Sequence, residues 1–220
     1  MARLSERSSG CGWIVAAFVV LCVLFGILVP PFPNGIYDAF ANMAMQSARS
    51  INLLCFEYST DHDGHYPDGK SSTEVFQHLI DEKYCSDPTI FYLPLRGKTK
   101  ALPGEKLKPE NVCFDATSDV DTNSPDGLPV VFMTGYRIDY TANAKAIPLI
   151  KPWPPYGGSP WVAWWTGHSP PTPGMGIAYK SNSATYLKLG PNGNVSNVIR
   201  PDFDAKGRIY RQLTPDGVLP

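Results

Sequence analysis

The chain has 220 residues, with 19 Lys and Arg against 20 Asp and Glu and a formal net charge of −1. So even a balance offers no basic stripe for a nucleic-acid partner. The length suits one domain with a full core, and 22 prolines with 19 glycines favour short strands and long turns over a helical bundle.

The first predicted element is apolar. Cys11 to Val29 carry no charge, and as a helix such a run reaches about 28 Å, close to the hydrocarbon thickness of a bilayer. A membrane-spanning helix over 11–30 behind a short cytoplasmic leader, 1–10, is therefore expected. Arg3 and Arg7 precede the run and no Lys or Arg follows until Arg49, so the positive-inside rule places the rest of the chain outside. A cleaved signal peptide is the main alternative. It fits less well, because Pro30, Pro31 and Pro33 follow the run and the nearest small-x-small pair is Ala39 and Ala41.

From Ile36 the apolar positions Phe40, Met43, Ala44, Ala48, Ile51, Leu54, Cys55 and Tyr58 recur every three or four residues. They predict one face of an amphipathic helix, with Asp38, Asn42, Gln46, Arg49, Ser50 and Glu57 on the wet side. Asp61-His62-Asp63-Gly64 ends it, Gly64 being suited to a tight exit. Ser71 with Glu74 has capping-box spacing and announces a second helix through Val75, Phe76, Leu79 and Ile80 that closes near Lys83. The segment 31–84 thus holds two helices and a turn.

Beyond Tyr84 short apolar runs alternate with turns. Thr89–Leu93, Pro129–Thr134, Tyr136–Tyr140, Ile147–Ile150, Gly176–Tyr179, Ala184–Leu189 and Arg208–Leu213 read as strands of a β-rich head over 85–220. Segments 102–126 and 151–174 read as long loops, the second rich in tryptophan. Helices first and strands afterwards predict an α+β fold with an antiparallel sheet.

Of the cysteines beyond the apolar run, Cys85 and Cys113 lie beside loop signals and form the better disulfide pair, leaving Cys55 free on its helix. His62, His65, His78 and His168 lack a metal-binding spacing, and no nucleophile elbow or phosphate-binding glycine loop is present. Neither an enzyme nor a small-molecule substrate is expected. Trp161, Trp164 and Trp165 read either as a lid over the sheet or as a contact surface for a protein or glycan.

An apolar segment ending Leu28-Val29-Pro30, a helix through Ala48 to Leu54, and the run from Tyr58 to Gly69 with its Asp-x-Asp-Gly-x-Tyr-Pro core together resemble the type IV pilin and type II secretion pseudopilin superfamily. The G-type (major) pseudopilins are most similar. Gly176–Tyr179 with Ala184–Leu189 looks like the C-terminal hairpin of that group. The resemblance implies a long N-terminal helix, first membrane-spanning and then amphipathic, on a small antiparallel head. It implies a bacterial inner-membrane single-pass protein with a periplasmic head, and like subunits or other pilins as partners. Gly10 and Cys11 would flank the leader cleavage site, although Val15 stands where the family carries Glu. Because major pseudopilin heads often hold calcium, Asp119, Asp121, Asn123 and Asp126 form the candidate calcium site, with a solvated loop as the alternative. Asp61, Asp63 and Asp68 share the spacing but read as helix exit and turn. An anchored binding module using the tryptophan loop is the rival reading.

Overall fold

The computed structural model describes residues 14–22, 33–149, 173–201 and 203–219. Helix α1 covers residues 14–22, α2 Pro33–Asp61 and α3 Ser72–Asp81. The strands are β1 Phe114–Thr117, β2 Pro129–Met133, β3 Tyr136–Ile138, β4 Ala146–Pro148, β5 Gly174–Tyr179, β6 Ala184–Lys188, β7 Gln212–Thr214 and β8 Gly217–Val218. Six of them form an antiparallel sheet in the order β6-β5-β2-β1-β7-β8, and β3 pairs with β4 as a separate hairpin.

The expected stem, a spanning helix continued by an amphipathic one, is overturned. Among the described residues no helix is long and apolar enough to cross a membrane, so the single-pass inner-membrane location loses the element it rested on. The 29 residues of α2 are divided between two faces, and their apolar side chains are spent mainly on the sheet. The rest of the expected span lies outside the described residues.

That division explains how α2 docks. Phe40, Ala44, Ala48, Ile51 and Cys55 are buried in steps of three or four and form one stripe against β5, β2 and β6. The alanines allow close approach: a Cβ placed on Gly176 of β5 would lie 2.7 Å from the carbonyl carbon of Ala44. Asn52 on the same side donates its Nδ2 hydrogen to the Tyr179 carbonyl at 3.0 Å. Helix α3 starts as its sequence predicts, with the Ser71 hydroxyl accepting from the Glu74 N–H at 3.2 Å and the Glu74 carboxylate from the Lys70 N–H at 2.8 Å. It packs on β1 and β7.

Two expectations fail for local reasons. Thr89–Leu93 is not a strand: the Asp87 carboxylate accepts from the Thr89 N–H at 2.9 Å and Pro88 favours the first helical position, giving a 3₁₀ turn at Pro88–Phe91. Strand β1 lies inside the expected loop 102–126, and it is a central strand of the sheet. Its Asp115 is fully buried. One oxygen of Asp115 accepts from the Gln212 amide at 2.6 Å, and the other has no partner. The same Gln212 amide accepts from the Ile138 N–H at 3.0 Å and donates to the Tyr136 carbonyl at 2.5 Å. A single side chain thereby replaces a strand partner for β3 and holds the β3–β4 hairpin to the sheet, helped by the Tyr136 hydroxyl donating to the Gly174 carbonyl at 2.9 Å.

Candidate functional site

Where α2 ends, the chain must turn sharply into the head. Asp63 and Gly64 take positive φ values of 52° and 84° to do so. The turn is then sewn onto the loop after β1: Tyr66 N–H donates to Val120 carbonyl at 3.0 Å, and Thr122 N–H to Gly64 carbonyl at 2.9 Å. The two aspartate-rich segments of the sequence are therefore neighbours in space.

Their carboxylates are already engaged. Asp121 receives the Arg208 guanidinium at 2.6 Å, the Asn123 N–H at 2.9 Å and the Ser124 hydroxyl at 3.2 Å. Burial works to raise its carboxyl, but the Arg208, Asn123 and Ser124 donors outweigh burial and hold it below the usual carboxylate range. Asp119 faces Arg211 at 3.7 Å and Asp126 faces Lys180 at 3.1 Å. Asp119, Asp121 and Asp126 thus answer three separate cations, and Asn123 serves through its backbone. No group of three or more His, Cys, Asp or Glu that could hold a metal is found among the described residues. Each of the three carboxylates is drawn to its own cation rather than to a shared centre. The partners that satisfy them lie 54 to 92 residues away along the chain, where no spacing rule reaches them.

Asp61 also has a local role, accepting from the Tyr84 hydroxyl at 2.7 Å, a bond that with burial pushes the phenol up to about 12. His62 is stacked on Tyr58 with ring centroids 3.7 Å apart. Its Nδ1 lies 2.8 Å from the Tyr58 carbonyl and its Nε2 3.0 Å from Glu82. This cluster fastens the exit of α2 to the end of α3 and presents no open ligand position.

The expected disulfide is not formed. Cys85 and Cys113 are free buried thiols: Cys85 donates to the Asp87 carbonyl and Cys113 to the Leu93 carbonyl, each at 3.3 Å. Cys55 is free and buried as well. Burial pushes the Cys55 thiol up to about 12 and the Cys113 thiol up to about 11, and raises Cys85 in the same direction. Alkylation of the native chain at pH 8 is expected to label exposed Cys22 and to reach Cys55, Cys85 and Cys113 only after unfolding. Peptide mass spectrometry reads this directly, and native labelling of Cys113 at the rate of Cys22 would contradict it.

What remains open is the outward side of α2. Asn42, Met43, Gln46, Arg49, Leu53, Phe56, Glu57 and Thr60 are all exposed, and at about 100° per residue they fall on one face opposite the buried stripe. Met43, Leu53 and Phe56 keep 40%, 42% and 51% of their surface in water. The periodicity puts Met43 with the buried stripe, but Met43 stands on this outward face, so three large apolar side chains are left in water there. Gly10, Cys11, Trp161, Trp164 and Trp165 lie outside the described residues. Comparison with protein families, with characterised proteins and with solved structures finds no match to this chain.

Proposed function

We propose that the chain is a non-enzymatic subunit of a pilin- or pseudopilin-type assembly, acting through surface contacts of α2 and its head rather than through chemistry. The observation that carries this reading is the α2 arrangement: one face sealed on an antiparallel sheet, an Asp-Gly-Tyr-Pro exit sewn to the head, and an opposite face left open with apolar side chains on it. The titratable groups singled out by the sequence support it too, since Asp61, His62, Asp119, Asp121 and Asp126 are spent on internal ties.

A photo-cross-linker placed at Met43 or Gln46 in the cell tests the proposal. Capture of another copy, or of a pilin-like subunit, is the expected result. Adducts only with proteins of unrelated architecture, or none at all, would remove the assembly role.

A further inference from the structure

The two faces of the sheet are covered differently. Asp115 pairs with Phe132, and Phe132 with Ile177, so these three side chains share one face, while neighbouring Gly176 turns to Ala44 of α2 on the other. The face of Asp115 meets the β3–β4 hairpin. Here the Gln212 amide joins the Asp115 carboxyl to the Tyr136 carbonyl and the Ile138 N–H. Thr117, two residues on, gives its own hydrogen to the Pro129 carbonyl at 2.6 Å, so the Tyr140 hydroxyl, 2.8 Å away, donates to it.

The hairpin is held unevenly. On its β4 side Ala146 exchanges two backbone bonds with Val195, each of 2.9 Å. On its other side β3 has no strand partner except β4, and its ties to the sheet are the side chains of Gln212, Tyr140 and Tyr136. Gly135, with φ at 93°, links β2 to β3 and supplies a hinge.

Beneath this layer lies a fully buried carboxyl with a donor at one oxygen and none at the other. Burial opposes its ionised form most strongly and Asp216 of the β7–β8 turn adds to that, against the side chains of Thr134 and Gln212 and the charge of Lys98. Tyr140, the other titratable group here, is held well above its ordinary range by burial and stays neutral. Arg137, Asp139 and Lys145 of the hairpin are exposed, and Arg211 beside Gln212 is turned to Asp119. An ionised Asp115 therefore needs water at its second oxygen. The paired strands and the docked helices resist opening, and the β3 side of the hairpin yields for the fewest bonds.

We infer that the β3–β4 hairpin is a proton-controlled flap: with Asp115 protonated, Gln212 fastens β3 to the sheet, and loss of that proton to water frees β3 while β4 stays tied to Val195. Opening uncovers Tyr136 and Ile138, the buried side chains of β3, and leaves α2 and α3 in place. The flap does not rest on membership of any pilin-type assembly.

Native-state hydrogen exchange of the full chain between pH 4 and 8, with each rate divided by the chemical exchange rate at that pH, tests this. Protection of the Ile138 amide is expected to fall about tenfold per pH unit up to about pH 7, because opening releases one proton. It should be insensitive to low denaturant, since a local opening exposes little surface. Ala146 and Val195 are expected to stay better protected and to follow denaturant as β2 and β5 do. In Asp115→Asn the Ile138 profile should be flat. Tyr140→Phe removes a tie without touching the carboxyl, so it should lower Ile138 protection about fivefold at every pH with the slope unchanged, the effect of about one hydrogen bond. One protection factor shared by Ile138, Ala146 and the amides of β2 and β5 at every pH would overturn the flap, because Asp115 would then meet water only when the whole chain unfolds. A slope that persists in Asp115→Asn would overturn it as well.

Discussion

Raising the pH from 4 to 8 is expected to lower the unfolding free energy by as much as about 4 kcal/mol through Asp115 alone. Full burial pushes this carboxyl up from 3.8 to about 7, against the opposing pull of the Thr134 and Gln212 side chains and of Lys98, while Asp216 adds to the rise. Between those two values the folded chain holds the proton and the unfolded chain has lost it. Stability therefore falls by about 1.4 kcal/mol per pH unit across the window, is fully present below it, and levels off above pH 7. Asp121, held low by Arg208, acts in the opposite sense, but only in acid below the ordinary carboxylate range.

Asp115→Asn separates this source from all others. The amide keeps an acceptor for the Gln212 side chain and cannot ionise, so its stability profile from pH 4 to 8 is expected to be nearly flat. Denaturant unfolding at several pH values gives the comparison. A variant slope equal to that of the native chain would show that Asp115 is not the titrating group. The site explains why the charge is so costly: the second carboxylate oxygen has no donor, and an unpaired ionised oxygen away from water is among the least tolerated groups in a core. Because Gln212 also makes two bonds to the backbone of β3, the amide of Ile138 should lose protection from exchange before those of β2 and β5.

The same residue shows what sequence reading could and could not reach. Helix α2 was legible because its burial follows helical period, and α3 because Ser71 and Glu74 form their cap between near neighbours. Strands β2, β5 and β6 were legible from their apolar or β-branched runs. Strand β1 was not, since Phe-Asp-Ala-Thr inside a charged stretch looks like loop. Its polar side chains find their partners far away in sequence: Gln212, 97 residues on, at one Asp115 oxygen, and Tyr140, whose hydroxyl lies 2.8 Å from the Thr117 Oγ1. The aspartates of the candidate metal site show the same limit of sequence reading. Aspartates at calcium-like spacing carry no sign of Arg208, Arg211 and Lys180, and only the fold brings those cations to them. The apolar run near the N-terminus has spanning length on paper. Nine of its residues, 14–22, are described, and the rest of the run lies outside the described residues.

Gly176→Val is expected to destabilise the chain by about 3 kcal/mol or more, because the space it needs is occupied by backbone. A Cβ at this position would lie 2.7 Å from the Ala44 carbonyl carbon, 2.8 Å from its oxygen and 3.0 Å from its Cβ. Side chains can rotate away from such an intrusion, but a helical carbonyl held in its hydrogen-bond ladder cannot, so α2 must lift from β5 along its length. Two companions isolate the cause. Gly127→Val meets only the Arg200 Cδ at 3.9 Å and should cost less than about 1 kcal/mol. Ala44→Gly in the Gly176→Val background removes the facing Cβ but leaves the carbonyl in place, so it should restore little. Full rescue by Ala44→Gly would mean that two side chains, and not the helix backbone, set the distance between α2 and the sheet. Outright tolerance of Gly176→Val would mean that the helix is not held at that distance at all.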